Sequence, residues 1–390
     1  MKKILLGIGA GITAGYFAVR ALQALGELRE PSKVRTGDAK AYASMRRSLE
    51  VAETVRGIVA FCAITYGPSG NALDRATRNV PRWLRPAAFT APLMLVTAAI
   101  DFPAAFVQDF AMERSFGLSE QTATDWAIDY VKSTAIATGV GAALAVLFGA
   151  AVRRAPKTWP LLASIGVFPL FVLANLIVPL YILPLFNTFE PIEGPLEKRL
   201  RALAARFGVG DAEILRMDMS RQTRKANAFV TGIGSTHRIV LGDTLMDAFP
   251  ENEIEFVVAH ELGHYVTKDT WRTIALGEAL AVALFLISNA LTARDERDEL
   301  QNSPMLIARL YATMTVAMQV LRPVLLAFSR SREWAADRFA LDTTGDAAAG
   351  AAAFRRLRDQ NLTDEDPPAW YEFFFGSHPT LKARIEALET

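Results

Sequence analysis

The sequence predicts a mainly α membrane protein with seven transmembrane helices and a water-facing part that carries a small β-hairpin or sheet. Three observations predict it. Hydrophobic residues make up 51% of the 390-residue chain, above the ~45–50% of ordinary soluble domains. The excess is uneven: residues 1–190 hold most of the long apolar runs and residues 191–270 almost none. Seven stretches also approach the ~20 apolar residues that a transmembrane helix needs: 4–25, 51–67, 87–107, 133–152, 159–186, 271–291 and 305–328. This divides the chain into an N-terminal membrane region, 1–190, with five spans, and a second region, 191–390, with two more.

The same composition excludes several classes. There is too much apolar sequence for disorder. A single cysteine, Cys62, inside an apolar run excludes a disulfide scaffold. Lys+Arg is 42 against Asp+Glu 41, so no net field draws nucleic acid.

The first span follows Lys2-Lys3 and so also looks like a secretory signal. Its length and the six spans after it favour a retained helix. The second is short and carries Glu53 and Arg56; the third holds Asp101; the seventh holds Arg309 and Arg322. Ionisable groups at such depth face a bundle interior or a watery cavity, or sit near span ends and snorkel. Pro160, Pro169, Pro179 and Pro184 predict kinks in the fifth span. Basic residues flank both membrane faces, so their count does not fix the topology.

In the water-facing part, Pro191–Pro195 reads as a linker. Residues 196–207 have helical periodicity and 213–219 alternate weakly as a strand. The apolar runs 228–233 and 238–241 are joined by Gly-Ser-Thr-His, a hairpin signal. Asp243 or Thr244 would cap a short helix. A longer helix begins at Pro250-Glu251, with acidic first turns that suit the helix dipole, and its pattern runs to about Leu291. Residues 347–353 read as helix and 364–368 as a turn. No repeat of 20–50 residues is present.

The informative stretch is His260-Glu261-Leu-Gly-His264. Histidines four apart on a helix share a face, and their imidazoles can share one Zn²⁺. Glu261 can take a proton from a water activated there. Chance matches to this pattern are expected about 0.002 times in such a chain, so it is not accidental. A catalytic zinc needs a third protein ligand and an open fourth position. Glu333 and Asp337, four apart in Ser-Arg-Glu-Trp-Ala-Ala-Asp, would read by themselves as a salt-bridged surface. Beside the two histidines, Glu333 can complete the ligand set and Asp337 can orient a ligand imidazole. His378, in Ser377-His-Pro-Thr380, reads alone as a surface turn residue, but it could donate to a developing oxyanion. The fourth histidine, His237, falls in the expected hairpin turn and reads as structural or exposed.

These residues, in this order, resemble the type I CAAX prenyl endopeptidase family, integral-membrane zinc proteases of the gluzincin type. Further matches are Glu113-Arg-Ser-Phe-Gly-Leu-Ser119, Asn227-Ala-Phe-Val-Thr-Gly232, Arg238-Ile-Val-Leu-Gly-Asp-Thr-Leu245, and the closing Ser377-His-Pro-Thr380 with Arg384-Ile-Glu-Ala-Leu388. The resemblance covers nearly the whole chain. It implies one zinc held by His260, His264 and Glu333, with Glu261 as base and Asp337 and Arg384 bracing the ligands. It implies that His378 stabilises the transition state or binds substrate, that Asn227 holds the substrate backbone or the oxyanion, and that Ala228 and Phe229 lie on an edge strand that pairs with the peptide. The implied fold is a barrel of seven helices around a water-filled chamber, with a zincin-like catalytic domain on the cytoplasmic side. The implied partners are the lipid bilayer and a peptide or protein substrate, either C-terminally prenylated or a misfolded membrane protein. The chain is shorter than eukaryotic members, chiefly between the last two spans. Two rivals are a heat-shock-type quality-control protease, which has fewer spans, and a non-enzymatic scaffold, against which the intact zinc motif argues.

Overall fold

A computed structural model describes residues 39–232, 236–291 and 303–390. The first expected span, most of the loop between the last two, and part of the hairpin turn lie outside the described residues.

The chain begins with α1 (Ala39–Tyr66) and the short α2 (Pro68–Ala76). The membrane helices are α3 (Arg85–Ser115), α4 (Ala123–Arg154) and α5 (Trp159–Leu185). The water-facing part follows with β1 (Phe189–Pro191), α6 (Pro195–Ala205), β2 (Glu213–Met217), β3 (Ala228–Thr231), β4 (Arg238–Gly242), α7 (Asp243–Ala248) and α8 (Glu251–Val266). Next come α9 (Asp269–Leu291) and α10 (Pro304–Thr344), then α11 (Ala347–Gln360), α12 (Ala369–Phe375) and α13 (Leu381–Glu389). Among the described residues, five helices are long and apolar enough to cross a membrane: α3, α4, α5, α9 and α10.

The second expected span falls in α1, which is not one of the five. Its polar residues find partners on α3 and so form a stripe that faces protein. Arg56 pairs with Asp101. Gln108 Nε2 donates to Glu53 at 3.2 Å, and Arg46 Nη1 and Tyr42 OH donate to Glu113 at 3.2 and 2.6 Å. The backbone of α3 loosens into a π-turn at Phe106–Ala111, a feature that often marks functional sites. Asp109 lies on this turn and is exposed.

In α5 the prolines do not act alike. Pro160 occupies the first turn and Pro169 stays within regular helix. The departures come at Pro179, in a π-turn over Val178–Ile182, and at Pro184, in a 3₁₀ turn over Leu183–Leu185. A proline frees the carbonyl four residues back and so permits a wider or tighter turn.

The last membrane helix runs past the expected limit at 328. α10 has 41 residues, starts with Ser303 as its cap and ends at Gly345, whose φ of 64° is a left-handed stop that glycine adopts without a Cβ clash. It therefore carries Glu333 and Asp337 out of the apolar region on one rigid element. α9 packs beside it, with Ser288 Oγ donating to the Leu310 carbonyl at 2.8 Å. In each of the five helices the apolar window is at most 17% buried.

The water-facing part is built on a four-stranded sheet of order β1-β2-β4-β3. The expected hairpin is the antiparallel β3–β4 pair, with Ala228 opposite Leu241. β4 also runs parallel to β2, and β1 is antiparallel to β2. β4 is the most buried strand, as its Ile-Val-Leu run requires, and β3 forms one edge. The core beneath combines Leu200, Leu241, Leu245, Phe256 and Leu262.

The single helix expected from Pro250 to Leu291 is two. Lys268, with φ 57°, breaks it between α8 and α9. Neither Asp243 nor Thr244 caps α7 with its side chain. Asp243 accepts the amide and hydroxyl of Ser220 at 2.9 and 2.5 Å, and Thr244 Oγ1 donates to the Lys225 carbonyl at 2.8 Å.

Candidate active site

α8 and α10 cross closely because Gly263 has no side chain. A Cβ there would lie 3.1 Å from the Ala336 Cα. The approach sets His260 and His264, one turn apart on α8, against Glu333 on α10.

His260 Nε2 and His264 Nε2 are 3.2 Å apart, and each is 3.4 Å from a different Glu333 oxygen. A tetrahedral ion with bonds of about 2.0–2.1 Å has ligand–ligand edges of about 3.3 Å, so the three groups fit such an ion. The ring protons are assigned by the outer partners. His260 Nδ1 lies 2.8 Å from Asp337 and His264 Nδ1 2.9 Å from Asp269. Each carboxylate accepts a hydrogen bond from Nδ1–H, which keeps the proton on that nitrogen and leaves the Nε2 lone pair facing Glu333. Among the described residues nothing donates a hydrogen bond to buried Glu333 Oε2; an ion at this point would satisfy it. The donor set of two imidazoles and one carboxylate suits a divalent transition metal.

Asp269 carries no motif that singles it out in the sequence. It is buried at the start of α9, where the chain turns after Lys268, and Arg332 Nε donates to its other oxygen at 2.6 Å. The pair Asp337 and Asp269 thus treats the two histidines alike. Only its distance of five residues from His264 could have flagged it.

Arg384 reaches in from α13. Its Nε and Nη2 donate to both Asp337 oxygens at 2.8 and 2.6 Å, and Nη1 lies 3.5 Å from Glu333 Oε2. Glu261 is half-buried beside the histidines, and burial pushes its carboxyl up from the ordinary range. His378 is exposed on the turn between α12 and α13, with Nε2 3.5 Å from Glu333 Oε1. His237 stays outside this group, with its ring edge-on to Tyr265 at 4.8 Å.

Asn227, exposed, immediately precedes the edge strand that carries buried Ala228 and half-buried Phe229. The segment before it is held from two sides. The Leu118 carbonyl accepts the Arg224 amide at 2.8 Å, and Ser119 Oγ donates to the Gln222 carbonyl at 2.7 Å. Asn361 exchanges hydrogen bonds with the Ala226 backbone at 2.8 and 3.2 Å. Lys225 Nζ meets Glu113 at 2.7 Å and Tyr42 OH at 2.8 Å. Burial pulls the Lys225 ammonium down, against the pull of Glu113, and pushes the Tyr42 phenol up. The Glu113–Ser119 loop is therefore a support for the edge strand.

Comparison with known proteins agrees with this geometry. The pattern of peptidase family M48 matches residues 192–390, and that of the CAAX prenyl protease N-terminal region, five membrane helices, matches residues 32–188. The uncharacterized metalloprotease YhfN of Bacillus subtilis is 30% identical over 320 residues, covering 79% of this chain and 74% of its own. CAAX prenyl protease 1 of Saccharomyces cerevisiae is 28% identical over 329 residues, covering 77% and 71%. The crystal structure of S. mikatae Ste24p superposes with a TM-score of 0.81 at 22% identity over 99% of both chains, which places this chain in the same fold. With its His-His-Glu group on two crossing helices and matches along both of its regions, the chain belongs to peptidase family M48, as an integral-membrane metalloprotease of the CAAX prenyl protease family.

Proposed function

We propose that this protein is a zinc endopeptidase that cuts extended peptide segments beside the membrane, near the C-termini of prenylated proteins. The observation that carries the reading is the triangle of His260, His264 and Glu333, with edges of 3.2–3.4 Å, backed by two carboxylates that fix the imidazole tautomers. Zinc, when bound, supplies a Lewis acid that makes water nucleophilic at neutral pH. Glu261 takes the proton of the attacking water and passes it to the leaving amine. His378 Nε2–H and the Asn227 amide donate to the oxyanion that develops on the substrate carbonyl. Asp337, Asp269 and Arg384 hold the ligands still.

The substrate lies extended along β3 at Ala228 and Phe229. Among the described residues β3 is an edge strand with one unpaired side, which is what strand addition requires. Residues 1–190 form the membrane region, and 191–390 the peptidase region with two spans of its own. Seven helices enclose a water-filled chamber above a site on the cytoplasmic side. One observation supports a hollow arrangement: ionisable Glu53 on α1 and Asp109 on α3 are exposed.

The test is cleavage of a prenylated C-terminal peptide beside the same peptide unmodified, by purified protein of known metal content. Faster cleavage of the prenylated peptide supports the full reading. Equal rates reduce it to a general membrane-associated peptidase that takes misfolded membrane proteins. Full zinc content in His264→Ala would remove the ligand set.

A further inference from the structure

Arg330 lies on α10, three residues before Glu333, and its guanidinium reaches the segment that carries His378. Nη1 donates to the carbonyls of Glu372 and Gly376 at 2.9 and 2.7 Å. These two carbonyls close the end of α12 and open the turn Gly376–Thr380. The turn's far end is also tied to α10. Thr380 caps α13 by accepting the Ala383 amide at 3.2 Å, and Arg384, one turn along, grips Asp337. The turn is thus suspended from two points on α10, Arg330 and Asp337, that lie on either side of Glu333.

His378 sits between those points. Its side chain is 60% exposed, so packing does not fix the imidazole. The side-chain neighbours are Ser377 Oγ, 2.8 Å from Nδ1, and Glu333 Oε1, 3.5 Å from Nε2. The imidazole's position over the metal group therefore follows from its backbone, and the near anchor of that backbone is Arg330. Arg330 is itself largely covered, with its side chain 17% exposed. α12 gives the clamp a firm base. Tyr371 stacks on Phe375 at 5.3 Å, Tyr371 OH donates to Glu50 on α1 at 2.5 Å, and the Arg322 guanidinium lies 4.7 Å from the Phe375 ring centre.

We propose that Arg330 is a positioning residue: by holding the Glu372 and Gly376 carbonyls it sets the place of His378 over the metal group. The inference rests on the reading of His378 as the oxyanion donor. Displacing a transition-state group by about 1 Å costs up to roughly a hundredfold in rate, and because the donor acts on the transition state, kcat falls while KM changes little. Both carbonyls are held by one nitrogen, Nη1, whose two N–H groups can each serve one of them; a lysine ammonium also has several N–H donors but lacks the rigid plane that aims them.

The experiment is a double-mutant cycle between Arg330→Met and His378→Ala in the full-length purified protein, with metal content and KM measured for each. The expected result is a fall in kcat of roughly ten- to a hundredfold for Arg330→Met, KM within about twofold and metal retained. In the His378→Ala background the same change should cost less than about twofold. Arg330→Lys should recover part of the loss, and it serves in the same cycle if Arg330→Met does not fold. An equal fold-change in both backgrounds overturns the inference while leaving His378 in its role. Unchanged kcat in Arg330→Met overturns it as well. Unchanged kcat in His378→Ala removes the oxyanion reading and, with it, this one.

Discussion

Arg384 and Asp337 form a two-point contact, Nε to Oδ2 at 2.8 Å and Nη2 to Oδ1 at 2.6 Å, and both residues are buried. The same Oδ1 lies 2.8 Å from His260 Nδ1. One carboxylate therefore serves the last helix of the chain and a metal-group histidine together. Removing one member of a buried charge pair costs about 3–5 kcal/mol, because the other charge is left alone. Arg384→Met should lower thermal stability and metal affinity in parallel, read by a melting curve with and without added zinc. Loss of activity at full stability and full metal content would assign Arg384 to the substrate instead.

Asp269 should matter as Asp337 does. Outer partners of metal-bound histidines are worth about ten- to a hundredfold in metal affinity. Asp269→Asn keeps the shape and loses the charge that holds the His264 Nδ1 proton. A competition titration with a zinc chelator should show weaker retention in this variant. Unchanged retention would mean that the 2.9 Å contact to His264 is incidental.

Glu261→Gln separates the metal from the base. The side chain is absent from the ligand triangle, so metal content should stay at the wild-type level. Loss of a general base costs about 10²–10⁴ in rate. Near-normal turnover with zinc in place would take Glu261 out of the mechanism.

Gly263→Ala tests the helix crossing. The new methyl would meet the Ala336 Cα at 3.1 Å and Phe339 carbons at 3.1 and 3.3 Å. Backbone cannot swing aside as a side chain can, so α8 and α10 must separate by a few tenths of an ångström. Overpacking of this kind costs about 1–3 kcal/mol. The expected signature is a lower melting temperature with weakened zinc binding. A variant with wild-type values for both would show that the crossing has slack.

A watery chamber makes its own prediction. In a Cys62→Ser background, Glu53→Cys and Asp109→Cys should react with a charged, membrane-impermeant thiol reagent. Ile165→Cys, at a 72% exposed apolar position on α5, should resist it because lipid surrounds it. Protection at all three positions would indicate a dry bundle.

The site was legible where the chemistry repeats at helical spacing. His260 and His264 share a face because they are four apart, and Glu333 and Asp337 do so for the same reason. Ala228–Thr231 and Arg238–Gly242 could be read as a hairpin because both strands are local in the chain. The parallel pairing of β2 with β4 could not, since nothing in either strand names its partner across 20 residues. The role of Asp269 depended on the break at Lys268, and lysine is not a residue whose presence signals a left-handed turn. Glu53 and Arg56 pointed in the sequence to a bundle interior or a watery cavity, without naming what they face. The partners are Asp101, Gln108 and Glu113 on α3, which local sequence cannot bring opposite α1.

The long reach of α10 bears on how the protein is made. Ribosomal synthesis delivers His260 and His264 first, then the apolar helix α9, and only after the apolar first half of α10 does Glu333 appear. The ligands therefore come from the two flanks of a helical hairpin. They can meet only if the chain has passed through the bilayer and come back, an even number of crossings. A failed insertion of either arm strands Glu333 on the wrong face or holds it within the lipid. A chain with only one of these two spans in place keeps Glu333 apart from His260 and His264, so the three ligands do not meet.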